Sequence, residues 1–436
     1  MNVAVVGAQW GDEGKGKVVD LLAPNFSLVA RYQGGPNAGH TVVFGGRSHA
    51  LQHIPSGIFH PHVRNLVGAG TLIDPDRILE EIAALRAQGI ALEGHLVLSP
   101  RSHVILPCHR ALDAAREGRL GGSAIGTTKK GIGPAYSSKA ERWGLRLADL
   151  ADAEEVERQV AQLLATGVGD LLASVGAEPL DAKDVAARAR GWWRDLGPLV
   201  GDVTGELHRA IAAGQPILFE GAQGTMLDVD HGTYPFVTSS NTNAGGIPAS
   251  LGIAPRAVER VVGVVKAYTT RVGAGPFPTE DTGELGDRLR QAGREYGTVT
   301  GRPRRCGLFD AVAGRYAVRL NGLDALAVTK FDVLSGLPTV KIAVAYELDG
   351  ERLDTVPPTV REYARAVPVY EELPGWNEPL TGVTSLAALP KNARAYLDRF
   401  TELAECPIGL LSVGPDRTAT IIPDGSLLEP FRGALR

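Results

Sequence analysis

The sequence predicts an α/β protein with a mostly parallel sheet. Short apolar runs bounded by Gly or Pro alternate along the chain with stretches in which apolar residues fall three or four apart among charges. The first run, NVAVVG at residues 2–7, passes through a glycine-rich loop into a helical pattern carrying Val18, Val19, Leu21 and Leu22. Glycine itself is in excess, 54 of 436 residues, and its clusters follow the apolar runs.

Taken in order, strand-like runs fall at residues 2–7, 28–32, 66–67, 96–98, 104–106, 217–219, 261–265, 325–328 and 408–413, several of them suited to a central sheet. Helical periodicity is clearest over residues 76–86, 152–164, 204–213 and 389–402. One large domain over residues 1–436 is expected. Within residues 100–200 it should hold a mostly helical insertion, because 151–197 is charged, rich in Ala and Leu and poor in glycine clusters. After Asp332 the composition changes again, and residues 335–385 read as a peripheral β-containing extension.

Composition excludes several classes. Lys and Arg total 45 against 49 Asp and Glu, and a net charge of −4 argues against a nucleic-acid coat. Cys108, Cys306 and Cys406 lie far apart without CxxC spacing, which argues against a disulfide framework or a zinc site and fits a reducing cytoplasmic setting. The start, MNVAVVGAQW, lacks a signal-peptide pattern, and no apolar run reaches the roughly 18 residues of a membrane span.

Four motifs carry chemistry. GDEGKGK, residues 11–17, follows the first strand, where backbone N–H groups and a helix N-terminus make an anion site. Its spacing satisfies GxxxxGK, but Val18 stands where a Ser or Thr hydroxyl would meet magnesium, so the carboxylate of Asp12 is the substitute oxygen ligand. QGGPNAGHT, residues 33–41, places His40 in a glycine-rich turn one strand later. In a doubly wound sheet both loops line one crevice, and Asp12 and His40 could then serve as base and acid.

TKFD, residues 329–332, resembles the guanine-reading sequence of GTP-binding proteins, with Lys330 on the base plane and Asp332 accepting from the guanine N–H groups. Adenine lacks that donor pair, so GTP becomes the leading nucleotide. VTGRPRRCG, residues 299–307, is a cationic loop whose arginine forks suit carboxylates and phosphates. Each motif has a plainer alternative: a solvated glycine turn, a hydrogen-bonded structural histidine, a surface Lys and Asp, a basic turn. DVDH, residues 228–231, invites a metal reading, but short acidic residues alternating beside a Gly are more commonly turn and cap residues.

Together WGDEGKGK, YQGGPNAGHT, IPSG, GTTKKGIGPAY, FEGAQGTMLDVDHGTYPFVTSSNT, TGRPRRCG, TKFD and SVG resemble, in order, the adenylosuccinate synthetase family. That resemblance implies a large central sheet with helices on both faces, smaller appended subdomains, and a homodimer. It implies a GTP-dependent ligase joining IMP and L-aspartate through 6-phosphoryl-IMP, with one Mg²⁺ per subunit held by Asp12 and the carbonyl of Gly39. Asp12 would be the general base and His40 the general acid.

By the same resemblance GTP would meet Gly11, Asp12, Glu13, Gly14, Lys15, Gly16, Lys17, Gly39, His40, Thr41, Arg304, Lys330, Phe331, Asp332, Ser412, Val413 and Gly414. IMP would meet Asp12, Glu13, Gly14, Lys15, Asn37, Ala38, Gly39, His40, Thr128, Gln223, Thr238 and Arg302, with Arg142 reaching in from the partner subunit. Aspartate would meet Thr298, Val299, Thr300, Gly301, Arg302, Pro303 and Arg304. The chain departs from the family's usual residues at Pro303, Lys129 and Lys130, which bears on loop detail only.

Two other classes compete. A GTP-hydrolysing switch would use the same two nucleotide motifs for regulation, and the residue after Lys17 counts against it. A small-molecule kinase would stop at phosphoryl transfer, leaving the cationic loop without a job.

Overall fold

A computed structural model of the chain describes residues 1–44, 47–121, 125–297 and 301–435. Nine strands form the central sheet in the order Thr420–Ile421, Ile408–Ser412, Ala325–Thr329, Arg260–Lys266, Val3–Gly7, Ile217–Glu220, Leu28–Arg31, Arg64–Val67, Leu96–Leu98. Every pairing is parallel except that of Thr420–Ile421 with Ile408–Ser412.

The first strand is buried on both faces, as a parallel sheet requires. Val3 and Val5 pack with Val18, Val19 and Leu22 of the helix Lys15–Leu22, while Ala4 and Val6 face a second cluster with Ala30, Phe219 and Val265. Register aligns the strand exits: Arg31 lies opposite Glu220, Gly7 opposite Val264, and Thr329 opposite Lys266. The loops that leave these strands therefore share one edge of the sheet.

Five of the described helices begin where a short acidic side chain accepts from free N–H groups. Asp74, Asp152, Asp181, Asp202 and Asp310 cap the helices Pro75–Arg86, Ala153–Leu163, Ala182–Leu196, Val203–Ala212 and Ala311–Asn321. Residues 104–106, a strand-like run, join none of the named strands. Val104 only bridges Ile73, and the chain turns at Pro107 into the helix Pro107–Leu120.

The helices Ala153–Leu163 and Ala182–Leu196 bury Val156, Val160, Val185 and Trp192 against Ile78 and Ile82. Further on, Thr339–Leu348 pairs antiparallel with Val367–Pro374 and Glu351–Leu353, and parallel with Phe309–Asp310. No helix among the described residues is long and apolar enough to cross a membrane.

Candidate active site at the carboxyl edge of the sheet

The loop after the first strand is held from beneath by Glu13. Its buried carboxylate accepts from the N–H groups of Gln9 (3.1 Å) and Gly11 (2.9 Å) and from Lys15 Nζ (2.6 Å). Glu13 and Lys15 thus face inward and brace the loop, so at the surface they have their backbone to offer. Asp12 stands outward at φ +60°, its side chain 34% exposed. Asp tolerates that left-handed backbone better than most residues. Gly16 opens the following helix where an added Cβ would lie 3.1 Å from His40 Cβ and from Thr41 O, so the loop and the His40 segment are in close contact.

His40 is the first residue of the strand His40–Phe44, which pairs with Arg47–Leu51, rather than part of a turn. Strand pairing fixes its backbone, and its ring is buried against Glu220, whose carboxylate contacts Nδ1. Glu220 also accepts from Ser56 N–H (2.7 Å) and Ser56 Oγ (2.8 Å), so it is locked. Burial pushes the His40 imidazole below its ordinary pKa, against the pull of Glu220. Burial alone would raise the Glu220 carboxyl, but the contacts with His40 and the Arg31 guanidinium outweigh it and hold it below its ordinary value. A neutral ring donating Nδ1–H to Glu220 leaves Nε2 bare, and Nε2 is buried without a partner.

Other unpaired polar atoms gather nearby. Gln223, at φ +56°, has both amide atoms buried and unpartnered, and its Oε1 would lie 3.1 Å from a Cβ added to Gly34 in the His40 loop. Asn37 donates to Thr238 Oγ1 (3.2 Å) while its own Oδ1 is orphaned. Ala38 is buried, Gly39 and Thr41 are exposed, and an added Cβ on Gly39 would meet nothing within 4 Å. Buried polar groups in folded proteins are nearly always paired, so such a cluster marks where a polar ligand supplies the partners.

On the other flank Lys17 Nζ donates to Ser412 Oγ (2.8 Å) and the carbonyl of Gly414 (2.8 Å), joining the first loop to the SVG loop. Burial brings Lys17 down to about 8, opposed by Asp332 and Asp416. Val413 N–H donates to Ala419 O at 3.0 Å. Lys330, at φ +58°, donates to the carbonyl of Gly293 (2.9 Å), Phe331 stacks on Trp376, and burial pushes the Asp332 carboxyl up. Thr329 Oγ1 donates to Glu13 O at 2.6 Å, tying TKFD to the first loop.

The described part of the cationic loop meets the site through Arg304. Thr298, Val299 and Thr300 lie outside the described residues. Gly301, Arg302 and Pro303 are exposed, whereas Arg304 reaches inward, its Nε 2.9 Å from Asp12 Oδ2. Arg305 is committed elsewhere, to Glu280 (2.8 Å) and to the carbonyls of Gly273 and Gly275. Thr128 is exposed, and Arg142 follows the helix Ile132–Glu141, exposed at φ +70°. DVDH is not a metal cluster: Asp228 accepts from the N–H groups of Asp230, His231 and Thr242, and no group of three or more metal-binding side chains occurs among the described residues.

Sequence reading missed Glu220, Arg31, Glu295 and Lys266. Glu220 and Lys266 end apolar strands (ILFE, RVVGVVK), and a charge closing a fully buried strand was the available signal.

A GxxxxGK loop leading into a helix, a TKFD segment and a cluster of unpaired buried polar groups share one edge of a parallel sheet, the layout of a guanine-nucleotide-dependent α/β enzyme. A family model described as adenylosuccinate synthetase matches residues 4–421. An adenylosuccinate synthetase of Synechococcus sp. (strain RCC307) is 50% identical over 434 residues, covering 100% of this chain and 99% of that protein. One from Pelotomaculum thermopropionicum is 52% identical over 421 residues, covering 96% and 98%. The solved structure of fully ligated adenylosuccinate synthetase from Plasmodium falciparum superimposes with a TM-score of 0.91 at 36% identity, covering 97% of this chain and 99% of that one. The chain belongs to the adenylosuccinate synthetase family. It is a GTP-dependent ligase of purine biosynthesis that joins IMP and L-aspartate and uses Mg²⁺.

Proposed function

We propose that Asp12 and His40 are the base and acid of this ligase, on one carrying observation: the unpaired Nε2 of His40, at the start of its strand, and the unpaired amide of Gln223 belong to residues that pack against the loop carrying Asp12. Oxygen at C6 of hypoxanthine is a poor leaving group, so it is activated first. Asp12 takes the N1 proton of IMP, charge builds on O6, and O6 attacks the γ-phosphorus of GTP, releasing GDP. His40 Nε2 faces the transferring group, whose negative charge draws a proton onto the ring while Glu220 supports the imidazolium. The amine of aspartate then attacks C6 of 6-phosphoryl-IMP, loses a proton, and phosphate leaves. Arg302 and Arg304 hold the aspartate carboxylates and help exclude water.

The residues fit magnesium. The Asp12 carboxylate and the Gly39 carbonyl are hard oxygen donors, with open space beside Gly39, and an ion completed by phosphate oxygens needs no all-protein cage. When bound it neutralises charge on the γ-phosphoryl group. Lys17, the backbone of the first loop and residues 412–414 hold the GTP phosphates and ribose side, and Asp332 reads guanine. Gln223, Asn37, Thr238 and Thr128 hold IMP.

Arg142 serves the active site of a partner subunit in a homodimer, which an exposed arginine at a helix end supports. A cytoplasmic setting agrees with the three free, buried cysteines. The test is complementation: inactive Asp12→Asn and Arg142→Leu proteins, mixed and allowed to exchange subunits, should recover activity that neither has alone. No recovery, with exchange shown by mass, would reject the shared site.

A further inference from the structure

We propose that Glu295 is the positioning residue for Arg304, fixing one edge of its guanidinium so that the other stays turned to the substrate carboxylate. The inference rests on the reading that Arg304 receives aspartate. Glu295 lies just before the cationic loop and its side chain is fully buried. Oε1 accepts from Lys266 Nζ (2.8 Å) and Tyr268 OH (2.5 Å), and Oε2 accepts from Arg304 Nη1 (2.6 Å). The backbone repeats the clasp: Arg304 N–H donates to Glu295 O at 2.9 Å, and Gly297 N–H donates to Arg302 O at 2.8 Å. Lys266 is itself held by Thr270 Oγ1 at 2.7 Å.

Charges therefore alternate from the sheet edge into the crevice: Lys266, Glu295, Arg304, Asp12. An arginine presents a planar fork, and here Nη1 is taken by Glu295 while Nε faces Asp12 Oδ2 at 2.9 Å. That second edge is the one an incoming carboxylate can use once Asp12 is engaged elsewhere. Burial works against ionisation of Glu295, but Lys266 and Arg304 outweigh it and hold the carboxyl at about 2, so the anchor stays charged at working pH. Stability alone is a weak reason for such a chain, because buried ion pairs often contribute no more than apolar groups of the same shape. Orientation of Arg304 is what this chain provides.

The test compares kinetic constants of the full-length enzyme. Glu295→Gln keeps the shape and removes the anchoring charge. The expected result is a KM for aspartate raised tenfold or more, with KM for IMP within twofold of wild type. Should a lone Lys266 charge spoil folding, Glu295→Gln combined with Lys266→Met removes both charges and should show the same split. Arg304→Leu separates the two layers of the argument. If Arg304→Leu leaves the aspartate KM unchanged, the reading of Arg304 fails and Glu295 falls with it. If Arg304→Leu raises that KM while the Glu295 variants stay within twofold, or raise all three KM values together, the Glu295 inference alone is overturned.

Discussion

The two ends of the central sheet differ in what they do with polar groups. At the amino end a cavity of about 430 Å³ is lined by Met1, Asn2, His208, Gln215 and Arg256 among others. There Asn2 donates to Ala257 O and accepts from Ile217 N–H, both at 3.0 Å, and His208 Nε2 meets the carbonyl of Gly252 at 2.8 Å. At the carboxyl end the polar groups of His40, Gln223 and Asn37 are buried and incomplete. That cavity lies at the settled end. Unsatisfied buried polarity is therefore the feature that sets the carboxyl edge apart.

The largest expected effect lies at the incomplete end. Asp12→Asn should lose nearly all turnover with unchanged circular dichroism, since a positioned base contributes about 10²–10⁴-fold. A variant within about tenfold of wild type, roughly 1.4 kcal/mol, would remove Asp12 from the base role. Next comes Glu220→Gln, which keeps the shape but withdraws the charge supporting His40. Its kcat should fall about 10- to 100-fold while the three KM values stay near wild type, because Glu220 meets the ring rather than substrate. A KM effect without a kcat effect would contradict the orienting role.

Asp332→Asn should raise the GTP KM about 10- to 100-fold, the value of about 1–3 kcal/mol for a lost acceptor, and narrow the preference over ATP. A smaller effect comes from pH. Lys17 loses its proton near 8, so as pH climbs through that value the GTP KM should rise, and Lys17→Arg should flatten the profile. The control belongs to the settled end: Asn2→Ala should lower stability by about 1–3 kcal/mol in urea unfolding and leave kcat untouched. A matching loss of kcat would erase the contrast between the two ends.

Much of this was legible in the sequence. The strand exits were marked by glycine clusters, and glycine at residues 11, 14 and 16 signals a loop that needs positive φ or close approach. Alternating apolar runs announced a parallel sheet because strands buried on both faces must be apolar throughout. The inward turn of Glu13, the strand position of His40 and the engagement of Arg305 with Glu280 were not legible, since each depends on a partner near or far along the chain that only packing supplies. Residues 104–106 show the same limit: local apolarity predicts burial, and only register decides whether burial is in a sheet.

The central claim is that base and acid at the carboxyl edge drive O6 of IMP onto the γ-phosphorus. Incubation of wild-type enzyme with IMP labelled with ¹⁸O at position 6, GTP, Mg²⁺ and aspartate measures this directly, by mass analysis of the phosphate released, with Asp12→Asn in parallel. The account predicts one ¹⁸O in each phosphate formed by wild type and almost no labelled phosphate from the variant. Unlabelled phosphate accompanying adenylosuccinate, or label transfer by Asp12→Asn at a rate within about tenfold of wild type, would contradict it.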